Sequence, residues 1–189
     1  MTYAVSLTTV PLSRFHALET QSRIGALPSG AEALDVLFDF AVQAPLVVPA
    51  STSLDAARRW IRQARARVLI VVDALETFLG IVSVADLFSG KSLLNLDEGS
   101  NLKATVADIL TPKSRLWGVP LAALASATMA DLAKTLDATH EAHLLVVDVD
   151  RHLVRGMVSR ADVEHRLQQR PISIPLPSRS SGLISELSS

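Results

Sequence analysis

Val68-Leu69-Ile70-Val71-Val72-Asp73 is followed, after a short turn, by Leu79-Gly80-Ile81-Val82-Ser83-Val84-Ala85-Asp86-Leu87. The pattern returns downstream as His143-Leu144-Leu145-Val146-Val147-Asp148 and then Arg155-Gly156-Met157-Val158-Ser159-Arg160-Ala161-Asp162-Val163. Val68 answers to His143 at an offset of 75, and Gly80 to Gly156 at an offset of 76, so the second turn is one residue longer. Self-similarity of this kind means one structural unit built twice, and it governs every other assignment.

Leu69 to Val72 and Leu144 to Val147 are short, apolar and rich in β-branched residues, which predicts strands buried on both faces. Second strands are expected at Phe78 to Val82 and Val154 to Val158, with helices starting at Ser83 and Ser159. Ahead of each buried strand lies a helical stretch, Ser53 to Ala66 and Thr128 to Glu141. In the first, Leu54, Ala57, Ile61 and Ala64 make one apolar face while Arg58, Arg59, Arg62 and Arg65 take the wet side. Thr52 or Ser53 can cap it, and Asp55 suits the positive end of its dipole. Met129, Leu132 and Leu136 repeat the stripe in the second copy. Short extended stretches, Leu46 to Val48 and Leu116 to Val119, come earlier still. Each copy therefore reads strand, helix, strand, strand, helix: an α/β (α+β) unit of about sixty residues, too small to bury a core alone. Two such units are expected to pack face to face as one module.

The organisation expected around them is an amino-terminal segment, 1–28, with little periodicity, then a helix and the first repeat over 29–90. The helix is signalled by Ser29-Gly30-Ala31-Glu32, which has capping-box spacing, and should run through Phe40. A polar connector follows at 91–105 with a short helix around Leu93 to Leu96, then the second repeat at 106–168. A flexible tail rich in Ser and Pro closes the chain at 169–189.

Composition narrows the function classes. Hydrophobic residues make up 49% of the 189, enough for a packed interior, and the formal net charge is −1. No basic block marks a nucleic-acid or anionic-membrane surface. A positive mean hydropathy at near-neutral charge points to some apolar surface that another chain covers. With no cysteine, disulfides, thiolate metal sites and cysteine nucleophiles are excluded together. No run of eighteen apolar residues and no secretory leader is visible, so a soluble cytoplasmic protein is expected.

Gly-h-h-Ser-x-x-Asp (h an apolar residue), present as Gly80 to Asp86 and again as Gly156 to Asp162 within this order of elements, resembles the cystathionine-β-synthase (CBS) domain family. Val106-Ala107-Asp108-Ile109-Leu110-Thr111-Pro112 is similar to the Asp-Ile-Met-Thr-Pro segment that opens many second repeats, with Leu110 in place of Met. The resemblance spans roughly Ala44 to Leu167. It implies two pseudo-twofold related repeats with clefts between them, a regulatory and non-catalytic role, and a flat, disk-shaped homodimer. It implies AMP, ADP, ATP or S-adenosylmethionine as ligand, with signalling to a separate effector protein and no cofactor required. Ser83 with Asp86, and Ser159 with Asp162, would receive the ribose hydroxyls, and apolar strand residues would sandwich the adenine. Arg67 and His143, at the entry to the buried strands, resemble phosphate-facing positions, and Arg160 is a further cation nearby for the nucleotide. Gly80 and Gly156 permit close approach of a ligand or a neighbouring backbone.

Other readings of the same residues stand beside this one. Ser-x-x-Asp is also a helix capping box, which needs no ligand. A CBS pair that only supplies an association surface would carry the same motifs. His140-x-x-His143 straddles a helix end and lacks a carboxylate or thiolate partner in sequence, so no metal is expected there. Gly90-Lys91-Ser92 lacks the earlier glycine and the preceding strand of a phosphate-binding loop. No nucleophile, base or metal constellation occurs at catalytic spacing, so no catalytic residue is assigned. His16, His152 and His165 are scattered and expected to be exposed, and Trp60 and Trp117 are expected to pack.

Overall fold

The computed structural model describes residues 4–19, 32–89 and 104–168. In chain order its strands are β1 (Val10–Pro11), β2 (Ala17–Leu18), β3 (Phe38–Asp39), β4 (Val47–Pro49), β5 (Val68–Val72), β6 (Phe78–Ser83), β7 (Thr111–Pro112), β8 (Trp117–Pro120), β9 (His143–Asp148) and β10 (Leu153–Ser159). The helices are α1 (Leu54–Gln63), α2 (Val84–Phe88), α3 (Leu121–Leu124), α4 (Met129–Thr139) and α5 (Arg160–Gln168).

Alternation along the two buried strands sets the layers. Val68 and Ile70 of β5 meet Leu145 and Val147 of β9 in a central cluster shared by both repeats. The intervening Leu69 and Val71 turn outward onto Leu54, Ala57 and Ile61 of α1. Leu144 and Val146 turn outward onto Leu132 and Leu136 of α4. The chain is thus two sheets packed on one another with helices outside each, and every residue of β5 is buried. The continuous apolar runs are what such a position demands.

One sheet has the order β4-β5-β6-β7, and the other β1-β8-β9-β10 with β2 and β3 both along the free side of β10. Val48 pairs in parallel with Val71, and Val119 with Val146. The offset between repeats is therefore 71 here and 75 beyond the helix, so the second repeat holds four more residues, and α3 is where they go. Helices α1 and α4 start at Ser53, whose hydroxyl accepts from Ala56 N–H, and at Thr128, in a capping box with Asp131. Both stop short of their expected limits, Ala66 and Glu141, because Arg65 and His140 take left-handed backbone conformations (φ 52° and 56°) at equivalent places.

The lead-in strands cross over. β7 opens the second repeat but pairs with β6 of the first, setting Gly80 against Pro112; β3 precedes the first repeat but pairs with β10 of the second, setting Gly156 against Asp39. Here the motif glycines find their use. A Cβ on Gly80 would lie 2.1 Å from the Thr111 carbonyl oxygen, and one on Gly156 would lie 2.5 Å from that of Phe38. Their close neighbour is the crossing backbone.

Two expectations are corrected. Residues 4–19 are not a loose segment: β1 pairs with β8, β2 pairs with β10, and Leu12 and Phe15 fill the core between the sheets. Backbone bonds from Phe78 N–H to His16 O (2.7 Å) and from Glu19 N–H to Val154 O (2.8 Å) fix the segment to both repeats. The helix expected through Phe40 is a 3-10 turn over Glu32–Val36 followed by extended β3, because this stretch is needed to complete the sheet edge at β10. Ser29 to Ala31, the connector helix around Leu93 to Leu96 and the tail beyond Gln168 lie outside the described residues.

A charge network that holds β3 in place escapes sequence reading. Arg155 sits at the bulge of β10 and is 4% exposed. It donates to both carboxylate oxygens of Asp39, at 2.7 and 2.9 Å. Glu19, also buried, receives Arg151 and lies 3.8 Å from Arg155. Burial alone would raise the Asp39 pKa, but the Arg155 hydrogen bonds, the Ala41 N–H and the guanidinium charge together bring it below the usual carboxylate value.

Gly80→Ala should destabilise the protein by about 1–3 kcal/mol, the cost of overpacking a filled site, and Gly156→Ala should do the same. Urea unfolding reads this, and wild-type stability in either variant would contradict the crossing contact. Arg155→Met leaves Asp39 without its cation and takes a nearby guanidinium from the buried Glu19, and should cost about 3–5 kcal/mol at pH 7. Asp39 has a depressed pKa in the folded state, so its contribution is present above about pH 4 and is lost as pH falls through the folded value. The deficit of Arg155→Met should accordingly shrink as pH is lowered toward 3, and a pH-independent deficit would count against the network.

Candidate functional site

The two motif serines end the inner strands and cap the helices that follow. Ser83 Oγ accepts from Asp86 N–H at 3.2 Å. Oδ2 of Asp86 in turn accepts from Ser83 N–H (2.8 Å) and Ser83 Oγ (2.6 Å), a complete capping box. In the second copy Asp162 N–H donates to Ser159 Oγ at 3.2 Å, and the Ser159 hydroxyl donates to Oδ2 of Asp162. The ligand-independent role of Ser-x-x-Asp is therefore real. It leaves the other carboxylate oxygen, Oδ1, for something else.

In the second copy that oxygen is taken by a residue of the first. Arg67 stands at the step from α1 into β5, and its guanidinium reaches across to Asp162 Oδ1 (3.0 Å) and Ser159 Oγ (3.3 Å). His143 opens β9 nearby. Burial foremost, and the Arg67 charge next, lower its pKa against the opposing pull of Asp162 and Asp86, so the imidazole is neutral at pH 7. Ser159, Asp162, Arg67 and His143 thus come from both repeats to one place, with Asp86 near enough for His143 to feel its charge.

Arg160 does not join them. It pairs with Asp137 and donates to the carbonyls of Leu136 (2.6 Å) and Glu141 (3.2 Å), closing the carboxy-terminal end of α4. Gly80 and Gly156 face crossing strands, as described above. His140 is the left-handed cap of α4 while His143 lies in a strand, so the two do not form a pair on one helical face. Trp60 and Trp117 are 41% and 43% exposed, and so are not packed away as expected.

Asp162 opens onto a cavity of about 580 Å³ lined also by Asp35, Val36, Leu37, Phe38, His165 and Arg166. Its volume falls in the range that holds a small organic ligand. Asp35 and Arg166 form an ion pair of 2.9 Å on one lip. Sequence reasoning missed residues 35–38 as cleft residues. The available signal was the pairing logic of the second repeat: Phe38 meets Met157 as Thr111 meets Ile81, so 36–38 is the counterpart of Ile109-Leu110-Thr111. His165, expected to be exposed, is exposed and lines the same cavity. A larger cavity, about 800 Å³, lies at the opposite end of β5 among Leu18, Phe40, Val47 and Val72 with Glu19, Asp73 and Glu76. Its acidic lining does not suit an anionic ligand.

Comparison with known proteins agrees with this architecture. The CBS domain model matches residues 106–168. No curated protein matches the chain. A solved structure of CBSX2 in complex with AMP is 30% identical, with a TM-score of 0.52 over 74% of this chain and 98% of that one. One of the CBS-pair protein CBSX2 from Arabidopsis thaliana is 29% identical, with a TM-score of 0.51 over 75% and 96%. The ATP-bound CBS domain of a bacterial CNNM/CorC family Mg2+ transporter has the same fold at 20% identity, with a TM-score of 0.53 over 73% and 87%. Two repeats that exchange their lead-in strands, together with this likeness over nearly all of a CBS-pair protein, show that the chain belongs to the CBS domain family and is a tandem CBS pair.

Proposed function

We propose that the chain is a regulatory module that binds an adenosine-containing nucleotide between its repeats, acts as a homodimer in the cytoplasm, and signals to a separate protein. The observation that carries this reading is the cleft at Asp162. There a carboxylate at the start of α5 lines one cavity with Val36, Leu37 and Phe38, and the same carboxylate accepts a hydrogen bond from Arg67 of the other repeat. Such a carboxylate can accept both hydrogens of a ribose diol in charge-assisted bonds. The apolar side chains opposite suit a purine face, and Arg67 suits phosphate. The AMP carried by a CBS-pair relative at 30% identity supports this ligand class. No helix among the described residues is long and apolar enough to cross a membrane.

A second reading is favoured by one specific observation. The Ser83–Asp86 capping box is complete, and Asp162 is paired with Arg67, so both motifs are satisfied internally. On that reading the module only associates with other chains.

Thermal unfolding with AMP, ADP, ATP and S-adenosylmethionine separates the two. A ligand at a hundred times its Kd adds about 2.7 kcal/mol to stability, a visible rise in midpoint. The expected result is a rise with at least one of the four that Asp162→Ala abolishes. No response to any of them would leave the association reading standing.

A further inference from the structure

The two repeats differ at the outer edges of their sheets. Val47 of β4 and Gly118 of β8 hold the same place, since they pair in parallel with Ile70 of β5 and Leu145 of β9. On its other side Gly118 pairs with Val10 of β1, and Leu12 N–H donates to Leu116 O at 3.2 Å. β4 ends its sheet, and among the described residues nothing pairs with its other side. Leu46 O accepts from Ile70 N–H (2.9 Å) and Ala50 N–H donates to Val72 O (2.9 Å), so the even-numbered residues of this stretch serve β5. Pro45 O and both backbone groups of Val47 therefore point to the open side. Pro49 has no N–H to offer, which keeps the open stretch as short as β1.

The side chains differ in the same sense. A Cβ on Gly118 would lie 2.8 Å from the Leu12 side chain, so the covered edge leaves no room for one. The open edge carries Val47 instead, 41% exposed. Beside it lies the cavity of about 800 Å³, with Leu18, Phe40 and Val72 on its walls. Leu75, 86% exposed, sits on the turn between two residues of that cavity, Ala74 and Glu76. Among the described residues no Lys, Arg or His lines it. Glu19 is paired with Arg151, and Lys113 acts on Asp73 without lining the cavity. The charge the rim offers is thus negative, at Asp73 and Glu76.

We infer that the β4 edge and this cavity receive an extended segment of a partner protein that carries an apolar side chain beside a Lys or Arg. Such a segment can bond Pro45 O and Val47 as β1 meets Leu116 O and Gly118, adding a strand to the sheet. Its apolar side chain enters the cavity, and its cation meets Asp73 and Glu76 in charge-assisted bonds. The site lies at the end of β5 away from Asp162, and the inference does not rest on the nucleotide reading.

Selection of a random peptide library on the full chain, without nucleotide, tests the inference. The most enriched peptides are then titrated by fluorescence polarisation against wild type, Val47→Pro, Glu76→Gln and Glu76→Lys. Enriched sequences should join an apolar residue to a Lys or Arg. Val47→Pro removes an edge N–H and should weaken binding about threefold to tenfold, the worth of one neutral hydrogen bond. Glu76→Lys, on an exposed turn that the fold does not depend on, should weaken it as well, and Glu76→Gln should do so by less. Failure to enrich any sequence, or binding that neither Val47→Pro nor Glu76→Lys changes, would overturn the inference. A wild-type dimer in sedimentation that Val47→Pro abolishes would give the edge to a second copy of the chain, and would overturn it too.

Discussion

Everything in this molecule depends on two short strands that are apolar on both faces. Val68 to Val72 cannot cover Val68 and Ile70 with its own helix, because α1 already lies on Leu69 and Val71. The uncovered face needs a second sheet, and the repeat supplies one in Leu145 and Val147. Fully burying a side chain of this kind contributes about 1.5–3 kcal/mol, so separating the repeats would expose several such contributions at once. Packing the sheets together in this way also brings the mouths of the two strands, at Arg67 and His143, beside the capping motifs at Asp86 and Asp162.

The same constraint explains why charges cross between distant parts of the chain. A crossing strand brings its own side chains to the other repeat's sheet. Phe38–Asp39 does so beside β10, where Asp39 meets the buried Arg155 with both carboxylate oxygens. That anchor keeps residues 36–38 opposite Asp162, and so shapes the apolar wall of the cavity. Arg67 makes the complementary crossing from the first repeat to the second. One pair is nearly buried and the other exposed, so the first contributes more to stability than the second.

Much of the fold was legible in the sequence because the repeat is written in residues whose roles are local. Apolar runs of fixed length, helix caps such as Ser53 and Thr128, and the strand-to-helix junctions at Ser83 and Ser159 all act within a few residues of themselves. Residues 4–19 were not legible. Their strands are two residues long, too short to show a period, and they are stabilised by contacts with Leu116, Val154 and Phe78 far along the chain. The extended stretch at Phe38 had the same weakness, so its place in the cleft was hidden behind an expected helix. Arg155 did offer a signal, since a charged residue inside an apolar strand needs a partner, but the sequence does not say which. For the candidate site, the repeated spacing pointed to the serines and aspartates and the family resemblance to Arg67 and His143, and the fold brings Arg67 and His143 together with Ser159 and Asp162. Neither signal could say that Arg160 turns back onto α4, because side-chain direction depends on the neighbouring helix end and not on distance along the chain.

The central claim is that a nucleotide sits between the repeats, with Asp162 on one side and the crossing strand on the other. The most direct measurement is an amide NMR titration of the isotopically labelled chain with AMP, observing backbone signals by residue. The account predicts saturable shifts clustered at Leu37, Phe38, Arg67, Ser159 and Asp162, residues distant in the chain that line the cavity with Asp162 or hydrogen-bond to it. Shifts confined to the acidic cavity around Asp73 and Glu76, or to a single repeat, would contradict it.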